Sequence, residues 1–306
     1  MAADRDVAAH PRAAVAALLI AGFGWGTTGL FVRSLGAYGL SPYELLVVRL
    51  AVTGIAITPI LLFSLRTNPR RLSFKVLAFF GFSMALYYFG AITAFHHLPM
   101  VIAALIIGSS PLVAWLIPIL QSRRVPVGGE RRQGIGVALA MTGLLILLAA
   151  KGPALKQGVS GDAGSEFLGY LGAIFAALVT VVNARILNRM GPKAPKPFEI
   201  TIATVLVGLM MSPFFILNPR SILQIAVDHA WLTIGFGILA TAIPGIAIAF
   251  ASVRLPPQAT ATVSIQLQVW AGALAWIILG ESLSPVQVVA ATFVVLGTWI
   301  CVRSSS

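Results

Sequence analysis

The sequence predicts an all-α, polytopic membrane protein with ten transmembrane helices, built as two inverted five-helix repeats with both termini cytoplasmic. Three observations carry that expectation. Of the 306 residues, 58% are hydrophobic and 10% charged, with a mean hydropathy of +0.94, more apolar surface than a water-soluble core of this size can hide. Ten apolar runs lie near the ~20 residues that a helix needs to cross the hydrocarbon core. The second half also echoes the first at an offset of about 155 residues, in the manner of an internal repeat. Ser41-Pro42-Tyr43-Glu44 is matched by Lys196-Pro197-Phe198-Glu199, Pro59 by Pro213, Leu98-Pro99 by Leu255-Pro256, Arg33 by Arg185 and Gly143 by Gly297. Each copy has an odd number of spans, so the two lie opposite ways up. That layout forms a midplane site between the halves.

The elements follow in order. A cytoplasmic tail, residues 1–12, carries Arg5 and Arg12 ahead of span 1 (13–33), which shows no small-residue cleavage site and reads as a retained span. Span 2 (42–63) opens on a capping box, Ser41 with Glu44, and has proline at its first helical position. Span 3 (75–95) ends in His96 and His97, for which a surface role is expected. Span 4 (100–121) and span 5 (133–150) complete the first repeat, residues 13–150. Residues 151–165 include the Gly-rich stretch KGPALKQGVSGDAG and form an external linker. The second repeat, residues 166–301, holds spans 166–187, 197–217, 231–253, 257–279 and 285–301, before a cytoplasmic tail at 302–306.

Charge sets the orientation. The net charge of +12 would suggest a nucleic-acid partner in a soluble protein, but here the basic residues sit in short loops beside apolar runs, and no nucleic acid is expected. Sixteen of the 21 Lys and Arg residues fall on one side, in the tails, in the segments Arg66 to Lys75, Arg123 to Arg132 and Arg185 to Lys196, and at Arg254. Four, namely Arg33, Lys151, Lys156 and Arg220, fall on the other, and Arg49 lies within span 2. All nine acids fall in loops or at span ends, which leaves no mid-depth carboxylate for a proton relay. One cysteine, Cys301, provides no disulfide framework. No metal or cofactor is expected.

Lipid-facing surface needs no polar group, so polar side chains at mid-span report what the bundle encloses. Span 1 offers Trp25 and Thr28 within a run of alternating glycines suited to close helix packing, and Trp25 fits either a packed core or a cavity wall. Span 3 offers Tyr87 and Tyr88, span 4 Ser109, Pro111 and Trp115, and span 6 Asn183. Span 8 offers Pro244, and span 9 offers Gln266, Gln268 and Trp270. Gln266 and Trp270 share a helical face that Gln268 does not, so at most one glutamine faces a given cavity. The hydroxyls and amides suit interhelical hydrogen bonds or a binding site, and the prolines suit helix bends. Arg49 suits snorkelling, a bond to a facing carbonyl, or contact with a carboxylate of a bound solute.

Two five-span copies, Trp25-Gly26 in span 1, Arg49 in span 2, Pro111 in span 4, and Leu279-Gly280-Glu281-Ser282-Leu283 closing span 9 resemble the EamA-type drug/metabolite transporter superfamily. Within it the chain looks most like the YddG-type bacterial amino-acid exporters. The first copy lacks the Leu-Gly-Glu after span 4, where Arg124 aligns with Glu281, and this favours a structural role for Glu281. The resemblance implies a multi-pass protein of the bacterial inner membrane, acting as a monomer, that exports amino acids or related small metabolites through a central cavity. The aromatic and polar residues above favour aromatic or hydrophobic amino acids. The missing mid-depth acid favours facilitated alternating access without proton coupling. A multidrug or lipophilic-cation exporter and a channel-like pore are the alternatives. An enzyme is not expected, because His10, His96, His97 and His229 all lie at or outside span ends.

Overall fold

The structure, a computed structural model, describes residues 11–67, 73–114, 116, 129–149, 163–191, 195, 197–211, 219–252, 254–255, 262–281 and 283–303. Every regular element among them is a helix. The first repeat contributes α1 (Pro11–Gly26), α2 (Thr28–Gly36), α3 (Pro42–Thr67), α4 (Phe74–His97), α5 (Met100–Gly108) and α6 (Gly129–Ala149). The second contributes α7 (Ala163–Met190), α8 (Pro197–Met211), α9 (Pro219–Asp228), α10 (Ala230–Gly237), a π-helical turn (Ile238–Ala242), α11 (Ile243–Ser252), α12 (Val263–Leu279) and α13 (Pro285–Arg303). Among the described residues, five stretches are long and apolar enough to cross a membrane: Arg12–Gly36, Pro42–Pro59, Phe74–His97, Ala163–Leu187 and Ala230–Ser252. Four shorter apolar helices lie between or after them.

Helix packing follows the duplication. Let α1–α2 correspond to α7, α3 to α8, α4 to α10–α11, α5 to α12, and α6 to α13. Then the packed pair α4·α7 exchanges with α1·α11, α5·α7 with α1·α12, and α4·α8 with α3·α10. The pairs α3·α8, α5·α12 and α6·α13 map onto themselves. These interfaces thus form a set that is unchanged when the two copies are swapped, whereas the α2·α4 contact has no comparable counterpart between α7 and α10 or α11 among the described residues.

Glycine makes the closest of these approaches possible, because a Cβ would collide with the facing backbone. On α4 and α7, Gly90 and Gly172 face one another, and a Cβ on either would lie within 2.8 Å of the other's carbonyl oxygen. On α1, Gly22 and Gly26 share a face and abut Gln266 and Trp270 of α12, while Gly24 abuts Pro244 and the Leu239 carbonyl. The glycine run of span 1 is therefore a packing device, as its small-residue spacing predicts.

Two expected spans are interrupted. Span 1 breaks at Thr27, whose hydroxyl donates to the Gly24 carbonyl at 2.6 Å and so competes for an acceptor of its own helix. Span 8, expected to bend at Pro244, instead carries its irregularity just before that proline, in the π turn. The capping box forms as predicted: Glu44 Oε2 accepts from the Ser41 backbone N–H at 2.7 Å and from its hydroxyl at 2.8 Å.

Candidate functional site

At the centre of the bundle Trp25, Thr28, Arg49, Tyr87, Tyr88, Ala91, Phe95, Ile107 and Leu267 enclose a cavity. Its free volume is about 10 Å³, close to the room needed by one water molecule. Its walls come from α1 to α5 of the first repeat and α12 of the second. The Tyr87 and Tyr88 rings meet edge to face, 5.3 Å between centroids and 61° between planes. Tyr88 also stands 4.3 Å from the Arg49 guanidinium carbon.

Arg49 is 1% exposed, and every group that holds it is uncharged. Its Nε donates to Thr241 Oγ1 at 2.5 Å and its Nη2 to the Ala240 carbonyl at 2.9 Å. Both acceptors belong to the π turn, whose wider winding alters the i to i−4 bonding of an α-helix. The rings of Tyr88 and Phe236 flank the guanidinium, the second at 5.1 Å, and such contacts are worth ~0.5–2 kcal/mol each. The remaining nitrogen, Nη1, is buried with no hydrogen-bond partner among the described residues. Arg49 itself lines the cavity. Thr53, one turn further on, shares its hydroxyl hydrogen between the Arg49 carbonyl at 2.7 Å and the Gly237 carbonyl at 3.0 Å, which ties α3 to α10. Of the roles open to Arg49 from sequence, the bond to a facing carbonyl is present, and one nitrogen is left over.

The other expected site residues divide. Trp25, Thr28, Tyr87 and Tyr88 meet Arg49 at the cavity. Ser109 instead donates to the Ile106 carbonyl of its own helix at 2.6 Å, and Pro111 is half-buried just beyond it. Asn183 is occupied by α4: its Oδ1 accepts from Ser83 Oγ at 2.7 Å and its Nδ2 points at Met84 Sδ at 3.3 Å. Pro244 packs against Gly24. Gln266 leans on Gly22 with its Oε1 buried and unpartnered among the described residues. Gln268 donates from Nε2 to the Leu105 carbonyl at 3.3 Å and lines a separate apolar groove of about 330 Å³ beside α5 and α13. Trp270, 38% exposed, packs edge to face on Phe23, with centroids 5.2 Å apart. Trp115 lies outside the described residues. From α12 it is thus Leu267, between the two glutamines, that reaches the cavity.

A second arginine sits at the end of the bundle expected to face outward. Arg33 Nη2 donates to the Leu98 carbonyl at 2.6 Å and approaches Glu281 Oε1 at 3.4 Å. The same carboxylate accepts the Met100 backbone N–H at 2.9 and 3.1 Å, satisfying an orphan donor in the first turn of α5. Gly280, at φ +65°, ends α12 in the left-handed conformation and brings Glu281 into place. Glu281 is a structural loop residue as expected, but the helix it caps belongs to the other repeat. His96 and His97, expected at the surface, are half-buried beside this cluster.

Apolar helices packed as two interchangeable halves around an internal cavity define a multi-pass membrane protein of the transporter class. The chain belongs to the EamA-like transporter family, which it matches twice, over residues 12–149 and 164–303. It is 24% identical over 290 residues to an uncharacterized transporter of Archaeoglobus fulgidus, covering 94% of this chain and 96% of that one. A protein solved by crystallography superimposes with a TM-score of 0.58 at 18% identity, covering 94% of this chain and 95% of the other, a likeness of fold.

Proposed function

We propose that the chain exports amino acids, aromatic or hydrophobic ones foremost, or related small metabolites, across a bacterial inner membrane. It does so as a monomer of ten spans with both termini cytoplasmic, by alternating access of two inverted repeats around the central cavity. One observation carries the reading: a buried cation with a nitrogen unpartnered among the described residues forms part of a wall that is otherwise aromatic and apolar except for Thr28. A carboxylate is the group that such a nitrogen binds best, through a charge-assisted hydrogen bond. Tyr87, Tyr88, Trp25 and Phe95 suit the apolar body of the same solute. A fixed positive charge disfavours the lipophilic-cation alternative.

Transport is facilitated and follows the solute gradient. The described acids Glu44, Glu130, Glu166, Glu199, Asp228 and Glu281 all stand at helix ends or in loops, and none lines the cavity. The test is counterflow in proteoliposomes with a panel of labelled amino acids, repeated with an imposed pH gradient. Saturable exchange of aromatic amino acids, unchanged by the gradient, is expected. Strong stimulation by the gradient would refute the uncoupled mechanism, and no counterflow of any amino acid would refute the substrate class.

A further inference from the structure

We infer that Thr241 is a positioning residue that aims Arg49 at the carboxylate of the transported solute and thereby lets the carrier distinguish a carboxylate from an uncharged carboxamide at the same position. The inference rests on the reading of the central cavity as the solute site. A guanidinium is a planar fork with five N–H donors. The Thr241 hydroxyl and the Ala240 carbonyl take donors from Nε and Nη2, which share one edge of the fork. With that edge fastened to the π turn and the Tyr88 and Phe236 rings flanking the group, Nη1 remains as the nitrogen without a partner among the described residues. Its orientation is therefore set by a residue that does not line the cavity.

The π turn makes this possible. It places a backbone carbonyl and a hydroxyl from adjacent residues, Ala240 and Thr241, on one guanidinium edge. Thr241 is itself anchored, since its hydroxyl lies 3.4 Å from the Phe236 carbonyl five residues back. The hydroxyl hydrogen points toward that carbonyl, leaving an oxygen lone pair for Arg49 Nε. Without the hydroxyl, Nε loses its acceptor and the fork is free to rotate about its stem. The charge stays in place, but its direction is no longer fixed.

Thr241→Val keeps the shape and branching of the side chain and removes the acceptor; Thr241→Ser keeps the acceptor. The measurement is initial uptake of labelled phenylalanine and of phenylalaninamide into proteoliposomes, with KM and kcat determined separately. Wild type should favour the acid. Thr241→Val should raise KM for the acid by about tenfold, as expected for one misaligned charge-assisted bond, with kcat retained and the acid-to-amide preference reduced by a similar factor. Thr241→Ser should behave as wild type. A purely structural role would lower the amount of folded carrier and leave KM and the preference unchanged. A wild-type preference in Thr241→Val would overturn the positioning role and leave the carrier reading intact. Wild type that takes up acid and amide equally, or neither, would overturn both.

Discussion

Arg33 and Arg49 belong to the same repeat, and both reach across to the other, but they are neutralised in opposite ways. Arg33, at the end of the bundle, meets a carboxylate, Glu281, that also caps the helix beginning at Met100. Arg49, at the centre, meets a hydroxyl, a carbonyl and two rings. In the first, a carboxylate stands beside the cation and ties two repeats together at their rim. In the second, a buried charge has no anion beside it among the described residues to offset its desolvation, a cost of several kcal/mol in the protein interior. Under the proposed function, the difference separates a structural arginine from one whose counter-ion arrives with the solute.

The comparison breaks most directly at the arginines themselves. Arg49→Gln should abolish counterflow, lowering kcat/KM by about 100-fold or more, because it removes a charge that Nη1 would present to a carboxylate. Arg49→Lys should recover little of it, since an ammonium cannot serve Thr241, Ala240 and a solute in the fork geometry. Arg33→Gln should leave kcat/KM within about fivefold of wild type, the range of a partly exposed ion pair. Equal losses at the two positions would erase the distinction.

A smaller effect is expected at the Arg33–Glu281 pair. Glu281→Ala leaves the Met100 N–H and Arg33 without their carboxylate, at a cost of ~1–3 kcal/mol. The rim should loosen. In a Cys301→Ser background, a cysteine at Leu98, which is fully buried beneath this cluster, should then react several-fold faster with a membrane-impermeant thiol reagent. Unchanged labelling would show that other contacts close this end.

Smaller still is the contribution of the ring beside Arg49. Tyr88→Leu, which loses the π face, should weaken solute affinity by roughly three- to tenfold, whereas Tyr88→Phe, which keeps it, should stay within about twofold. Ser83→Ala should cost ~1 kcal/mol of stability by removing the hydrogen bond to Asn183, with counterflow unaffected. A large transport defect there would return Asn183 to the solute site.

What the sequence made legible and what it hid have one physical origin. A polar group at mid-depth needs a partner, and this rule found Trp25, Thr28, Arg49, Tyr87 and Tyr88, which the fold brings together. The same rule cannot tell a side chain facing a cavity from one satisfied by nearby backbone. Ser109 bonds its own helix, Gln268 bonds the Leu105 carbonyl and Asn183 bonds Ser83. Ala91, Phe95, Ile107 and Leu267 line the cavity without any signal, because an apolar wall residue has the same chemistry as a lipid-facing one. The π turn was equally hidden. Ile238-Leu239-Ala240-Thr241-Ala242 reads as ordinary helix, and only its contact with Arg49 reveals what the altered winding supplies. The glycine-rich spacing of span 1, by contrast, was a sound guide to packing.

The central cavity, with room for about one water, is far smaller than any amino acid, for which a pocket of roughly 300 Å³ or more is typical. Under the proposed function, entry of an amino acid drives the helices apart, and each turnover includes an expansion against the surrounding bilayer. Flux should then have a positive activation volume. Hydrostatic pressure would slow it, and the slowing should steepen from alanine to phenylalanine to tryptophan, so a pressure series gauges how far the bundle opens for each.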